Sequence, residues 1–430
     1  MPTRLYLDTA RLGLASSSAQ RAHRDFARLA GEEGLALYSS RLLWYGFNAW
    51  PASLQSRYSG LRHWNGVHDL KDSLRGLAGL GSDEQPVLLA SRTAQLMRLA
   101  ARLLFSQCRR VLITDLTWPS YSKILEQERV RSGAEIMRMP VRSPILHDRL
   151  SSKDFARRIA VFYRSFKCDG LFLPAVSHDG IRLPVDRLSP ALSEGNQIRL
   201  FVVDGAQAFG HVPTDLSLGD CDFYIAGCHK WLRAQHPMGL AFCPSERSRG
   251  MIRTTCTDMV ESGELDDPLM RFINELEGDW PAAFSETVDA VPLFSCRAAL
   301  ADLATRKLAD SFRDQLANAE ILAGACAQVG WRALLPDRAF RSGILLLQAD
   351  SPLVRCIPPT NMQAFFQAYG IALTCYEDGA LRLSMPTTRW KSWQLDLICS
   401  ALADCAKSRE ISLDGRSPFP TGELAGGVSV

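Results

Sequence analysis

Short, wholly apolar runs recur through the middle of the chain, separated by longer amphipathic stretches. Residues 86–90 (PVLLA), 110–114 (RVLIT), 170–176 (GLFLPAV), 198–203 (IRLFVV), 222–226 (DFYIA) and 239–243 (GLAFC) are six such runs. Runs this brief without polar alternation are the pattern of strands buried on both faces. Between them, residues 93–105 and 150–164 place Leu, Ala, Phe and Ile at helical spacing. Strand runs alternating with helices predict an α/β domain around a largely parallel sheet. After about residue 294 the pattern changes to a helical stretch (296–329), a strand (343–349), a helix (362–369), a hairpin and a last helix (391–406). The hairpin joins residues 371–376 to 380–385 through Glu377-Asp378-Gly379. The chain therefore divides into an N-terminal segment (1–45), a large α/β domain (46–295), a smaller C-terminal α+β domain (296–410) and a tail (411–430). The tail is rich in Gly, Pro and Ser without apolar periodicity, which predicts disorder.

Composition narrows the partners. Of 430 residues 47% are hydrophobic and 22% charged, the balance of a globular protein with room for more than one core. The 49 Lys and Arg nearly cancel the 46 Asp and Glu, so no global field draws the chain to a nucleic acid or an anionic membrane. No apolar run suits a signal peptide or a membrane span, and a cytoplasmic protein is expected. Twelve cysteines are too dilute for a disulfide framework and show no zinc-ligand spacing, so no metal is expected and most should be buried small hydrophobes. Lysine is scarce: Lys71, Lys123, Lys153, Lys167, Lys230, Lys307, Lys391 and Lys407 are all there are.

In open α/β sheets ligands bind beyond the carboxyl ends of the strands, so the residues that follow each run are the candidates for chemistry. Ser91, Arg92 and Thr93 open a helix, where free N–H groups and short hydroxyls suit a phosphate, though a plain helix cap reads the same way. Trp118 could lie on an aromatic ring or pack in a core. His178 follows the third run and reads equally as a surface histidine. Asp204 is sharper. A carboxylate at the end of an all-apolar strand is costly to desolvate without a cation, and none adjoins it in sequence. The protonated ring nitrogen of pyridoxal phosphate (PLP) is a cation a ligand can supply. Lys230, in an apolar neighbourhood past the fifth run, is placed to lose its proton and attack a carbonyl.

Asp204-Gly-Ala-Gln207 and His229-Lys230-Trp231-Leu232, one loop and one strand apart, resemble the central signature of the class V aminotransferase family of PLP enzymes. The Lys-Trp-Leu continuation is similar to the branch of isopenicillin N epimerase-like and lyase-like members. Leu7-Asp8-Thr9-Ala10-Arg11-Leu12-Gly13 resembles that branch's opening segment. The resemblance implies roles. Lys230 carries PLP as a Schiff base, Asp204 pairs with its pyridinium, Gln207 meets its phenolic oxygen and Trp118 stands in for the usual stacking His. Ser91, Arg92, Thr93 and His229 contact the phosphate, with Thr287 reaching in from a second subunit, and His178 joins the cofactor-binding set. Arg382, within Leu381-Arg382-Leu383-Ser384, takes the substrate carboxylate. Departures are local: Gly227 replaces a common phosphate-binding Ser, the segment 233–239 is about two residues longer than usual, and Met385-Pro386-Thr387 replaces a familiar Tyr-Asn.

The expectation is thus a homodimeric enzyme acting at the Cα of an amino acid, transamination leading, epimerisation or C–S/β-elimination behind it. Cysteine desulfuration and a silent PLP-binding protein rank lower, Cys375 sitting before too tight a hairpin and Cys356 beside two prolines. A nucleotide-binding module needs a Gly-x-Gly-x-x-Gly turn where the chain has Ser-Arg-Thr-Ala-Gln. Specificity is expected from loop residues such as Trp44, Tyr45, Trp64, His178 and Arg389.

Overall fold

The computed structural model describes residues 4–33, 41–81, 85–148, 150–193, 198–218, 220–277 and 288–407. The tail 411–430 and Thr287 lie outside the described residues. A short strand β1 (Leu5–Tyr6) precedes a seven-stranded sheet built from β2 (Val87–Ala90), β3 (Arg110–Thr114), β4 (Glu135–Met139), β5 (Gly170–Pro174), β6 (Leu200–Asp204), β7 (Phe223–Gly227) and β8 (Gly239–Phe242). Their spatial order is β2-β8-β7-β6-β5-β3-β4, parallel except for β8, which runs against both neighbours. The fold is thus the expected α/β one. All six predicted runs are strands. The seventh, β4, is an edge strand with Glu135 and Arg138 exposed, so it carries no apolar run to read.

Alternate side chains of one strand enter different cores, which is why the runs are apolar throughout. Leu112, Leu171, Leu173, Phe201, Val203 and Ala226 face one layer of helices. Val111, Ile113, Phe172, Val202, Phe223 and Ile225 face the other, covered by the helix Thr93–Gln107. Each such fully buried Val, Leu, Ile or Phe contributes about 1.5–3 kcal/mol before entropy is counted.

The helical stretch expected over 296–329 consists of two helices, Val291–Ala304 and Leu308–Cys326, broken at Thr305-Arg306-Lys307. The first of them buries Leu293, Phe294, Cys296 and Ala299 in the core of the large domain. The smaller sheet orders β12 (Thr374–Cys375), β13 (Ala380–Ser384), β10 (Ile344–Ala349) and β9 (Trp331–Ala333), all antiparallel, with the predicted hairpin joining β12 to β13. Its own core holds Trp331, Leu347, Phe366, Leu381 and Leu402. The N-terminal segment belongs to that layer: β1 pairs in parallel with β11 (Ile371–Ala372), and Leu5 and Leu7 are buried there. No helix among the described residues is long and apolar enough to cross a membrane.

Candidate active site

The carboxyl ends of β5, β6 and β7 open on a cavity of about 500 Å³ lined by Asp204, Gln207, Lys230, Trp118, His178 and Arg382, among others. Asp204 is the last residue of β6 itself, 6% exposed, and its Oδ1 accepts the Ala206 N–H at 2.9 Å. Burial lifts its pKa to about 6, against the pull of the Ala206 N–H and of Lys230. Burial pushes Lys230 the other way, below the ordinary lysine range, with Asp204 opposing the shift and Arg382 adding to it. An amine so desolvated sheds its proton readily and becomes a nucleophile. Tyr121, from the first turn of the helix Pro119–Ser132, also lines the cavity, and burial and then Asp204 raise its pKa well above the ordinary value. Sequence reading missed it; its position three residues past Trp118, on the same helical turn, was the available signal.

Trp118 caps that helix, is 41% exposed, and meets the His178 ring edge-on at 5.1 Å between centroids. Gln207 is held rather than free. Its Nε2 donates to the Ala10 carbonyl at 2.7 Å, and its Oε1 accepts from Trp231 Nε1 at 2.9 Å. Trp231 in turn stacks on His211 at 3.6 Å and 11°. The Gly343 N–H donates to His211 Nε2, so Nδ1 carries the proton and donates to the Gln207 carbonyl. Burial lowers the His211 pKa to about 3, keeping that tautomer neutral.

On the far wall Arg382, in β13 and 5% exposed, donates through Nη1 to the His178 carbonyl at 3.1 Å. Its Nη2 reaches Thr374 Oγ1 at 2.9 Å and Asp8 Oδ1 at 3.3 Å. Asp8 comes from the N-terminal segment, which is strapped across both domains. Ser384 N–H donates to the Leu7 carbonyl, Ala10 N–H to Ser384 Oγ, and Gly13 N–H to the His229 carbonyl. A Cβ on Gly13 would lie 1.9 Å from the Lys230 carbonyl oxygen, so only glycine permits the strap to pass there.

The proposed phosphate end is only partly as expected. Ser91 N–H and Oγ both donate to Asp267, a carboxylate 1% exposed that also caps the helix Pro268–Glu277 through Met270 N–H. Ser91 is thus engaged with a buried carboxylate, which competes with the phosphate contact expected of it. Arg92 is the extended N-cap of the next helix and makes no side-chain cap bond, so the plain Ser/Thr cap reading fails. Thr93 Oγ1 donates to the Ala226 carbonyl, and a Cβ at Gly227 would meet that oxygen at 2.9 Å. Glycine at 227 is thus coupled to threonine at 93: Thr93 fills the space a serine would take. Next to them His229 Nδ1 is buried without a partner, and burial brings its pKa down to about 4.

Of the loop residues expected to set specificity, only His178 lines the cavity. Trp64 is a core residue whose Nε1 donates to the Leu42 carbonyl, Tyr45 is 72% exposed, Trp44 packs against the core, and Arg389 pairs with Asp314. Among the described residues no cysteine lines the cavity. Cys375 points to the opposite side of β12 from its neighbours Thr374 and Tyr376, which do. Eight of the twelve cysteines are buried and all are free.

Residues 81–260 match the aminotransferase class-V family. Over that stretch, somewhat under half of its length, the chain is similar to the class V aminotransferases. The matched stretch contains Trp118, Tyr121, His178, Asp204, Gln207 and Lys230, which line the cavity. Isopenicillin N epimerase of Amycolatopsis lactamdurans is 39% identical over 79 residues, 18% of this chain and 19% of that protein's length. Two solved structures align over nearly the whole chain. A cystine C–S lyase in complex with its product cysteine persulfide gives a TM-score of 0.66 at 15% identity, covering 93% of this chain and 97% of that one. An alanine–glyoxylate aminotransferase from Nostoc sp. gives 0.65 at 16%, covering 94% and 96%. At such identities the likeness is one of fold.

Proposed function

We propose that the protein is a PLP-dependent enzyme acting at the Cα of an amino acid, transamination being the leading reaction. The observation that carries this reading is a pair: a buried lysine pushed toward its neutral form and a buried carboxylate pushed toward its protonated form, in one cavity with an arginine. Two groups whose environments move them in opposite directions are the mark of an acid/base site. The residues fit the cofactor. Asp204 lacks the full counter-charge its burial calls for, which a protonated ring nitrogen supplies. His229 Nδ1 lacks any partner, which a phosphate oxygen supplies. Arg92, Thr93 and His229 would hold the phosphate, Gln207 the phenolic oxygen, Trp118 the ring, and Lys230 the carbonyl carbon.

Bound there, PLP supplies an electron sink that stabilises charge left on Cα when one of its bonds breaks. The chain does the rest. Lys230 Nζ, buried and pushed toward its neutral form, is the group that takes and returns a proton at Cα. Asp204 holds the ring nitrogen protonated. Arg382 orients the substrate by its carboxylate, which selects the bond to be broken. Epimerisation and β-elimination use the same residues. Desulfuration by a cysteine nucleophile finds no such group along the described cavity wall.

The test is to load the protein with PLP, present a panel of amino acids, and follow both the cofactor spectrum and the products. A keto acid without loss of the side chain marks transamination; an inverted Cα marks epimerisation; a lost β-substituent marks elimination. Absence of any spectral response to every amino acid tried sinks the reading.

A further inference from the structure

Arg382 is almost fully enclosed, and a buried guanidinium needs a counter-charge before any substrate arrives. Asp8 provides it, 7% exposed and braced by the Thr374 hydroxyl at 2.6 Å. One edge of the fork is thereby occupied: Nη2 by Asp8 and Thr374, Nη1 by the His178 carbonyl. The other edge is not. Arg382 Nε is buried and without a partner, as is the Tyr376 hydroxyl; the guanidinium carbon lies 5.9 Å from the Tyr376 ring centre, and both side chains line the cavity. Two buried donors on one cavity wall without a hydrogen-bond partner of normal length, the Tyr376 hydroxyl within the influence of the Arg382 guanidinium, mark a niche for one acceptor group with two oxygens.

We infer that Asp8 is a positioning residue that fixes and half-neutralises Arg382, and that Tyr376 is a substrate-binding residue whose hydroxyl takes a monocarboxylate jointly with Arg382 Nε. This deepens the reading of an amino acid enzyme and rests on it for the identity of the carboxylate. The arrangement trades affinity for selectivity. Asp8 repels an incoming carboxylate, so a ligand binds only by using both open donors, whereas a neutral amide offers them one acceptor oxygen and a donor that meets another donor.

The probe is propionate, which has no amino group and cannot react, titrated calorimetrically into the protein as purified with its cofactor, beside neutral propionamide. Propionate should bind and propionamide should not. Asp8→Asn keeps the hydrogen bonds but removes the charge, and is expected to tighten propionate by about threefold or more. Tyr376→Phe should weaken it by about tenfold. Structural damage weakens binding in both variants, so the tightening in Asp8→Asn separates positioning from scaffolding. Should Asp8→Asn fail to fold, Tyr376→Phe with an unchanged melting temperature decides alone. Unchanged or weaker binding in a folded Asp8→Asn, unchanged binding in Tyr376→Phe, or no binding of propionate to the unaltered protein overturns the inference. Because the probe never reacts, these results stand apart from whether Lys230 carries the cofactor.

Discussion

At the scale of residues the site works by displaced protonation. The Asp204 pKa, about 6 in the folded protein against 3.8 ordinarily, means that the native state holds the proton more tightly than the unfolded chain. Its contribution to stability is then fully present below about pH 4 and is lost as pH rises through about 6. In protein free of cofactor, Asp204→Asn should therefore be more stable than the unaltered chain at pH 8 by on the order of 3 kcal/mol. The gap should close below pH 4, and PLP should reverse the order at pH 8 by giving Asp204 its cation. Calorimetric melting at the two pH values checks this; a difference of equal size at both contradicts the burial argument. Asp204 and Lys230 stood out in the sequence because each ends or follows an apolar strand, where a charge is conspicuous; Arg382 was named only through the family resemblance. Asp8 and Tyr376 were not legible: Asp8 meets Arg382 across 374 positions, and no local pattern announces such a contact. The bond from Ser91 to Asp267 was not legible either, since the two lie 176 positions apart.

Among the elements, the strap of residues 4–16 governs the geometry. It adds β1 to the small domain, hands Asp8 to Arg382 and the Ala10 carbonyl to Gln207, and lies against the Lys230 peptide at Gly13. Gly13→Ala should force it off Lys230, costing about 1–3 kcal/mol of stability and weakening PLP binding with it. Gly81→Ala, where a Cβ meets nothing within 4 Å, is the matched control. Equal melting temperatures and equal cofactor affinity for the two variants would remove the strap from the account. The strands themselves were readable because a sheet covered on both faces leaves uninterrupted apolar runs. The edge strand β4 and the helix break at Thr305 were not, since an exposed edge carries charges and a short helix–helix turn needs no glycine or proline.

For the molecule as a whole, the cavity draws on three parts of the chain: strand ends of the large domain, the strap, and the hairpin of the small domain. A homodimer is the proposed assembly, tested by sedimentation at micromolar concentration; a mass of one chain, with and without PLP, contradicts it. The central claim is narrower, that this shared cavity binds PLP through Lys230. The most direct measurement is the absorbance of the purified protein between about 300 and 500 nm, followed by borohydride reduction and peptide mapping, for the unaltered chain and Lys230→Ala. A yellow band that reduction fixes on Lys230, and that Lys230→Ala lacks, is the predicted result. A protein that stays colourless with added PLP, or a label on any other lysine, contradicts it.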